Sequence, residues 1–342
     1  MSRFWSLPEA SLQSPAGIDP GRFRRALLAW FATARRPLPW RQNTDFYRVW
    51  ISEIMLQQTR VEAVIPYYTR FLERFPTVTA LAAAAEQEVL AAWSGLGYYS
   101  RARKLHEAAR QMAARGFPTT HQELGALAGV GPYTAAALAS IALGLPHAAV
   151  DGNVLRVISR LTNDASEMTA PATRRRFHEV AGELLDPASP GDFNQAMMEL
   201  GATICKPGVP ACAACPVETS CAARAAGTER ELPVRLKKPK ARDLPLHLMV
   251  FRREAEVYLV QREAGESRLA GFWELPQKGL FPRLRGRLAA EFSHQIVNDR
   301  FRVRVWVSER APGLPEGRWV PVGGFDGIPL TTISRKALAA LS

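Results

Sequence analysis

Cys205, Cys212, Cys215 and Cys221 are the only cysteines of the chain, and they fall within one short stretch. With six, two and five residues between them, one loop can present four thiolates to a single soft metal centre. Four sulfur ligands suit tetrahedral zinc or an iron–sulfur cube. Structural zinc sites pair two short knuckles, whereas this loop has one, Cys212 to Cys215, flanked by longer arms, so the spacing favours the larger cluster.

Two carboxylates stand upstream. Glu53 lies in Trp50-Ile-Ser-Glu-Ile-Met-Leu-Gln-Gln-Thr-Arg60, where Ile51, Ile54, Met55 and Gln58 recur at helical spacing. One face would then carry Glu53, Gln57 and Arg60. A carboxyl set among Trp50, Ile54 and Met55 is poorly solvated, which raises its pKa and fits it for proton donation. Read alone, a glutamate at such a position is more often an ordinary solvated surface residue. Asp151, in Val150-Asp-Gly-Asn-Val-Leu-Arg156, immediately precedes an apolar-periodic helix, where aspartate commonly serves as N-cap or turn residue. About twenty residues before it, Leu127-Ala-Gly-Val-Gly-Pro-Tyr-Thr-Ala135 joins two helical patterns. Gly129 and Gly131 free that turn, and Pro132 is suited to the first helical position. Its backbone N–H groups can face a phosphate, or the segment is a plain interhelical turn.

The elements that must position these groups are helical as far as about residue 200. Patterns run over 49–65, 67–75, 86–93, 101–114, 132–143, 153–161, 173–185 and 193–204, with Pro and Gly between them. Arg22–Arg25 followed by an apolar stretch looks faintly like a secretory signal, but Phe23, Leu27, Phe31 and Ala34 fit a first amphipathic helix. Beyond the cysteines the basic, Pro-containing stretch 232–243 reads as an exposed linker. Then the period changes to β-type runs at 246–251, 257–261 and 301–307. The expected organisation is multidomain: a loose leader over 1–18, an all-α domain over 19–225, a linker over 226–242 and an α+β domain over 243–342.

The chain has 342 residues, 47% hydrophobic and 22% charged, a composition that fits a folded protein and not a disordered or fibrous one. No apolar run is long enough for a membrane span, and no membrane partner is expected. Forty-four basic against thirty-two acidic residues leave a formal net charge of +12, so a polyanion is the natural partner. Clustered cysteines point to a reduced compartment, so a cytoplasmic, non-secreted protein is expected.

The cysteine spacing after a helical domain resembles the [4Fe–4S] loop of endonuclease III-class DNA glycosylases, and the Gly/Pro turn resembles their helix-hairpin-helix. The Glu53 segment resembles the S-E-[IV]-M-L-Q-Q-T motif of MutY-type adenine DNA glycosylases. Pro39-Trp-Arg41, Gly95-Leu-Gly-Tyr-Tyr-Ser-Arg101 and Phe193-Asn-Gln-Ala-Met-Met-Glu-Leu-Gly201 extend the resemblance over residues 20–225. It implies an all-α helix-hairpin-helix glycosylase domain, one [4Fe–4S] cluster, and a monomer acting on duplex DNA with adenine opposite 8-oxoguanine or guanine. Glycosidic cleavage through an oxocarbenium-like sugar needs an acid for the leaving group and an anion for the cation. The resemblance gives these tasks to Glu53 and Asp151, oriented by Tyr133 and Asn153. It implies that Arg41 and Gln195 read the adenine edges and that Gln58 and Tyr98 wedge into the duplex. Lyase-type relatives carry lysine where Tyr133 stands; a phenol forms no Schiff base, so simple hydrolysis is implied.

The last domain resembles the Nudix fold as found in MutY, through Leu269-Ala-Gly-Phe-Trp-Glu-Leu-Pro276. Glu291 is the only acidic residue between Pro276 and Phe292, so the carboxylates of a Nudix metal helix are missing. Phe292, Ser293 and His294 match the family's lesion-reading loop literally, while a shifted register would put Val297 and Asn298 there. Two rivals remain: an endonuclease III-like glycosylase/lyase for oxidised pyrimidines, and a non-enzymatic iron–sulfur DNA-binding protein. Tyr133 and the second domain speak against the first.

Overall fold

The computed structural model describes residues 17–234, 241–263, 265, 269–296, 298–311, 313–325 and 327–341. Val297, most of the 1–18 leader and the centre of the linker lie outside them. The described chain forms two compact units that do not follow a linear division. One comprises Met1–Glu53 and Pro118–Leu236, the other Ile54–Phe117 and Lys237–Ser342.

In the first unit, α1 (Pro20–Ala34) begins on Asp19, whose carboxylate accepts from the Gly21 and Arg22 amides, and buries Phe23, Leu27 and Phe31 as its spacing requires. It packs with α9 (Gly152–Leu161), α10 (Pro171–Leu184) and α11 (Pro190–Thr203) around Leu155, Ile158, Phe177, Phe193 and Leu200. Helix α9 is buried on every side from Val154 to Leu161, two arginines included, so it is a central strut and not a surface helix. Gly201 explains how α11 comes so near to it: a β-carbon there would lie 2.7 Å from that of Asn153. The hairpin is α7 (His121–Gly125) and α8 (Pro132–Ile141), joined through Gly129 at φ +77° and Gly131, the N-cap of α8.

Helix α2 (Phe46–Leu56) is shorter than its sequence pattern. The chain turns at Gln57–Thr59 and re-enters a helix as α3 (Val61–Arg74), which runs through Pro66. Gln57 and Arg60 therefore do not share a helical face with Glu53. At that turn Gln58 takes a left-handed φ of +59°, which ends the helix. The second unit continues with α4 (Val78–Ala83), α5 (Glu86–Ala92) and α6 (Ser100–Arg115), packed around Phe71, Trp93 and Leu105.

Its other half is a six-stranded sheet. The strands are β1 (Arg242–Arg253), β2 (Glu256–Gln261), β3 (Trp273–Glu274), β4 (Arg287–Ile296), β5 (Asp299–Ser308) and β6 (Gly317–Pro321). Their order is β3-β2-β1-β5-β4, with β6 also on β2. β1 and β5 pair in parallel from Arg242 opposite Asp299 to Phe251 opposite Ser308, and α12 (Thr332–Ala339) covers one face through Ala337 and Leu338. Residues 54–117 join this half through named contacts. Tyr99 lies 4.1 Å from the Phe272 ring, Ser94 Oγ donates to the Leu330 carbonyl at 3.2 Å, and Arg335 donates to Ser94 Oγ at 2.9 Å.

Phe292, Ser293 and His294 do not form a loop. They sit inside β4, paired with Val303, Arg302 and Phe301 of β5, because the ladder runs on as far as Ile296 opposite Asp299. Strand alternation sends Phe292 and His294 to one face and Ser293 to the other. Phe292 packs on the core, His294 Nδ1 lies 3.3 Å from Lys336 Nζ, and Ser293 is exposed.

Candidate active site

Glu53 sits in the last turns of α2 and is 6% exposed. Burial pushes its carboxyl up to about 7; the Tyr133 hydrogen bond opposes this, the Asp151 charge adds to it, and Arg41 lowers it. The Tyr133 hydroxyl donates to Glu53 Oε2 at 3.0 Å and lies 3.1 Å from Met198 Sδ. Tyr133 is the second residue of α8, so the hairpin that frees the turn also delivers the phenol to the carboxyl. Burial, then the neighbouring carboxylates, hold that phenol well above the usual tyrosine range, so it stays a neutral donor.

Asp151 is the N-cap of α9. Oδ1 accepts from the Asn153 and Val154 amides at 2.9 and 2.8 Å, and Oδ2 accepts from Asn153 Nδ2 at 2.9 Å. Burial raises its pKa above the usual aspartate value, and these three bonds and the Arg156 charge limit that rise without reversing it. Two carboxyls thus stand near each other, both desolvated but with unlike hydrogen-bond partners. Glu53 is desolvated with a single donor, while Asp151 is wrapped by donors at a helix N-terminus, which favours its anion.

Arg41 is placed near this pair, but it does not stand free: its Nη2 donates to Glu199 Oε2 at 2.9 Å. Arg36 spans the same buried carboxylate, its Nε donating to Oε1 at 2.7 Å and its Nη2 to Oε2 at 2.9 Å. Although burial opposes it, the two guanidiniums hold Glu199 below the usual carboxylate range. Gln195, Met198 and Glu199 lie along one side of α11.

The cysteine loop packs on α9. Cys205, Cys215 and Cys221 touch the core around Ile158 and Val217, and all four thiols are free and half-buried. Burial pushes the Cys215 thiol up to about 12, and the charges of the other three cysteines add to that. Among the described residues no three His, Cys, Asp or Glu side chains converge closely enough to chelate one ion. Four cysteine sulfurs presented by one loop on the α9 core are the donor set that could hold an iron–sulfur cluster.

Sequence reasoning missed the arginines behind these groups. Arg156 joins Asn153 Oδ1 at 2.9 Å to the Cys205 and Gly201 carbonyls at 2.8 and 2.7 Å. Arg160, 1% exposed, donates to Cys205 Sγ at 3.2 Å and to the Lys206 carbonyl at 2.8 Å. Their signal was visible: two cations four residues apart on a helix otherwise apolar on its inner side.

In the second unit Gln58 and Tyr98 are among the few non-glycine residues with positive φ, +59° and +48°. Such conformations cost about 1–3 kcal/mol each and persist only where the surroundings impose them. Tyr98 is 45% exposed.

A model of the HhH-GPD superfamily of base excision DNA repair proteins matches residues 51–183. The chain is 48% identical over 217 residues to the adenine DNA glycosylase of Rattus norvegicus, which covers 60% of this chain and 42% of the relative. Its identity to the Homo sapiens adenine DNA glycosylase is 46%, over 59% of this chain and 39% of the relative. The adenine DNA glycosylase of Mycolicibacterium smegmatis is 42% identical, over 59% of this chain and 69% of the relative. The chain therefore spans about two fifths of the length of the mammalian relatives and over two thirds of the bacterial one. Among solved structures it resembles a thermostable thymine-DNA glycosylase, with TM-score 0.56 and 29% identity over 60% of this chain and 97% of that one. A trapped endonuclease III–DNA covalent intermediate shares the fold, with TM-score 0.51 and 23% identity over 61% of this chain and 99% of that one.

Proposed function

Because the chain belongs to the adenine DNA glycosylase family of the HhH-GPD superfamily, we propose that it hydrolyses the N-glycosidic bond of adenine in duplex DNA. The observation that carries this reading is the pair of carboxyls, with Glu53 at a pKa of about 7 beside Asp151 capped at a helix N-terminus. Glu53 keeps a proton at neutral pH and donates it to N7 of an extruded adenine, while Tyr133 fixes the carboxyl's orientation. As the bond to the sugar breaks, positive charge grows at C1′, and the Asp151 anion stabilises it before water adds. Position 133 offers a phenol and no amine, so no Schiff base forms and the strand stays intact.

The +12 chain binds the phosphate backbone, with the α8 N-terminus and the Gly129–Gly131 turn facing a phosphate. Gln58 and Tyr98 wedge into the stack as adenine is turned out. Arg36 and Arg41 orient Glu199 at the base pocket, so Arg41 serves adenine recognition through that carboxylate, with Gln195 one helical turn away on the same helix. Cys205, Cys212, Cys215 and Cys221 hold one [4Fe–4S] cluster, which ties the loop together when bound. The sheet half is a Nudix-like domain without its metal helix, and it senses 8-oxoguanine opposite the adenine. The protein works as a monomer in the cytoplasm.

Duplexes carrying adenine opposite 8-oxoguanine, guanine or cytosine, scored for abasic sites before and after alkali, test this reading. Base release with strand scission only after alkali is expected. Scission without alkali together with borohydride trapping would establish a lyase instead, and binding without base release would leave a DNA-binding protein.

A further inference from the structure

We infer that Arg101 is the positioning residue for both DNA-penetrating segments, setting the backbone from which Gln58 and Tyr98 enter the stack. The inference rests on reading those two residues as wedges.

Arg101 lies at the start of α6 and is 9% exposed. Its Nη1 donates to the carbonyls of Ile54, Met55 and Gln57 at 2.8, 2.8 and 2.6 Å. Its Nη2 donates to Thr59 Oγ1 at 3.1 Å and to the Gly97 carbonyl at 3.2 Å. The Gln57 and Gly97 carbonyls belong to the peptide bonds that lead into Gln58 and Tyr98. One guanidinium thus holds the peptide before each of two residues with left-handed φ.

The chemistry suits the task. The final carbonyls of α2 have no partner within the helix, and a cation there answers both their lone pairs and the negative end of the dipole. Once Arg101 has drawn the Gln57 carbonyl to itself, the chain cannot continue as helix and Gln58 is turned outward. Trp93 completes the mount: its ring lies 5.3 Å from the guanidinium carbon and its Nε1 donates to the Gly97 carbonyl at 3.2 Å. The Tyr98 ring lies 5.6 Å from the same carbon on the solvent side. Only a planar fork reaches both segments; an ammonium is a single point and would serve one of them.

The test compares adenine excision from a fully paired duplex with excision from a bubble in which the adenine is already unpaired. Single-turnover rates are taken for the unaltered protein, Arg101→Lys, Tyr98→Ala and the double variant, with a thermal melt of each. Arg101→Lys should slow excision about tenfold or more on the duplex and under about threefold in the bubble, and should add little once Tyr98 is alanine. Thr59→Val, which removes one acceptor, should shift the duplex rate the same way by less, and it carries the test if Arg101→Lys does not fold. Equal losses on both substrates, or fully additive losses beside an effective Tyr98→Ala, would make Arg101 a merely structural residue. A silent Tyr98→Ala would remove the wedge reading and the inference with it.

Discussion

The Tyr133 hydroxyl donates to Glu53 Oε2 at 3.0 Å, joining the first turn of α8 to the buried end of α2. A neutral donor holding an acid of raised pKa orients the proton without taking it.

Excision should fall as pH rises through about 7, because Glu53 must be protonated to donate. The Tyr133 bond lowers that pKa, so Tyr133→Phe should move the falling limb up by about one pH unit. It should also lower the plateau several-fold through lost orientation. Single-turnover rates across pH 5–9 check this, and an unmoved limb would mean that Glu53 is not the group titrating.

Glu53→Gln should abolish excision and make the protein more stable in alkali. The folded pKa of about 7 lies above the ordinary 4.5. Stability tied to the neutral form is therefore full below about 4.5 and lost as pH rises toward 7. The glutamine variant escapes that loss, which is on the order of 3 kcal/mol at pH 8 and near zero at pH 4.5. Urea melts of both proteins at the two pH values measure the difference; an equal gain at both would refute the cause.

Asp151→Asn and Asp151→Ala should separate the cap from the chemistry. Asparagine keeps an acceptor for the Asn153 and Val154 amides, so the variant should fold normally while excision drops about a hundredfold or more. Alanine should lose activity similarly and about 1 kcal/mol of stability besides. DNA affinity, read by fluorescence anisotropy, should survive in the asparagine variant.

Iron and inorganic sulfide should each approach about four per chain in purified protein, as a [4Fe–4S] centre requires. Cys215→Ser should strip the metal and loosen the loop where its thiol now packs on the α9–α11 core. One zinc per chain in active protein would overturn the assignment.

Removing residues 241–342 should collapse the preference for 8-oxoguanine over guanine by about ten- to two-hundredfold. It would also slow excision generally, since Tyr99, Ser94 and Arg103 lose their contacts with Phe272, Leu330 and Ala270. Point variants are the cleaner readout. Asn298 is exposed at the hairpin turn, whereas Ser293 and His294 occupy opposite faces of β4. Asn298→Ala should reduce the preference and Ser293→Ala should leave it nearly unchanged. The reverse result would establish the literal Phe-Ser-His match.

Motif and spacing determined much of this protein. Apolar residues at period 3.6 placed α1 and α9 within a residue or two, and the change to period 2 marked the sheet, because burial demands those patterns of any stable helix or strand. The cysteine spacing and the Gly–Pro hairpin were legible because both depend on contiguous residues. What lay beyond was set by contacts between distant segments. Helix α2 stops at Leu56 because Arg101, more than forty residues away, takes its last carbonyls. Phe292–His294 became strand because β5 pairs with them, although the same three residues in another register would make a turn. Arg41, implied by resemblance to read the adenine edges, is bound to Glu199, a carboxylate on a helix more than 150 residues away that its own motif could not name. The rise of Glu53 to about 7 has the same origin. A side chain's neighbours in sequence say which groups it resembles, but desolvation and charge act through space, and only the packed chain decides which atoms share it.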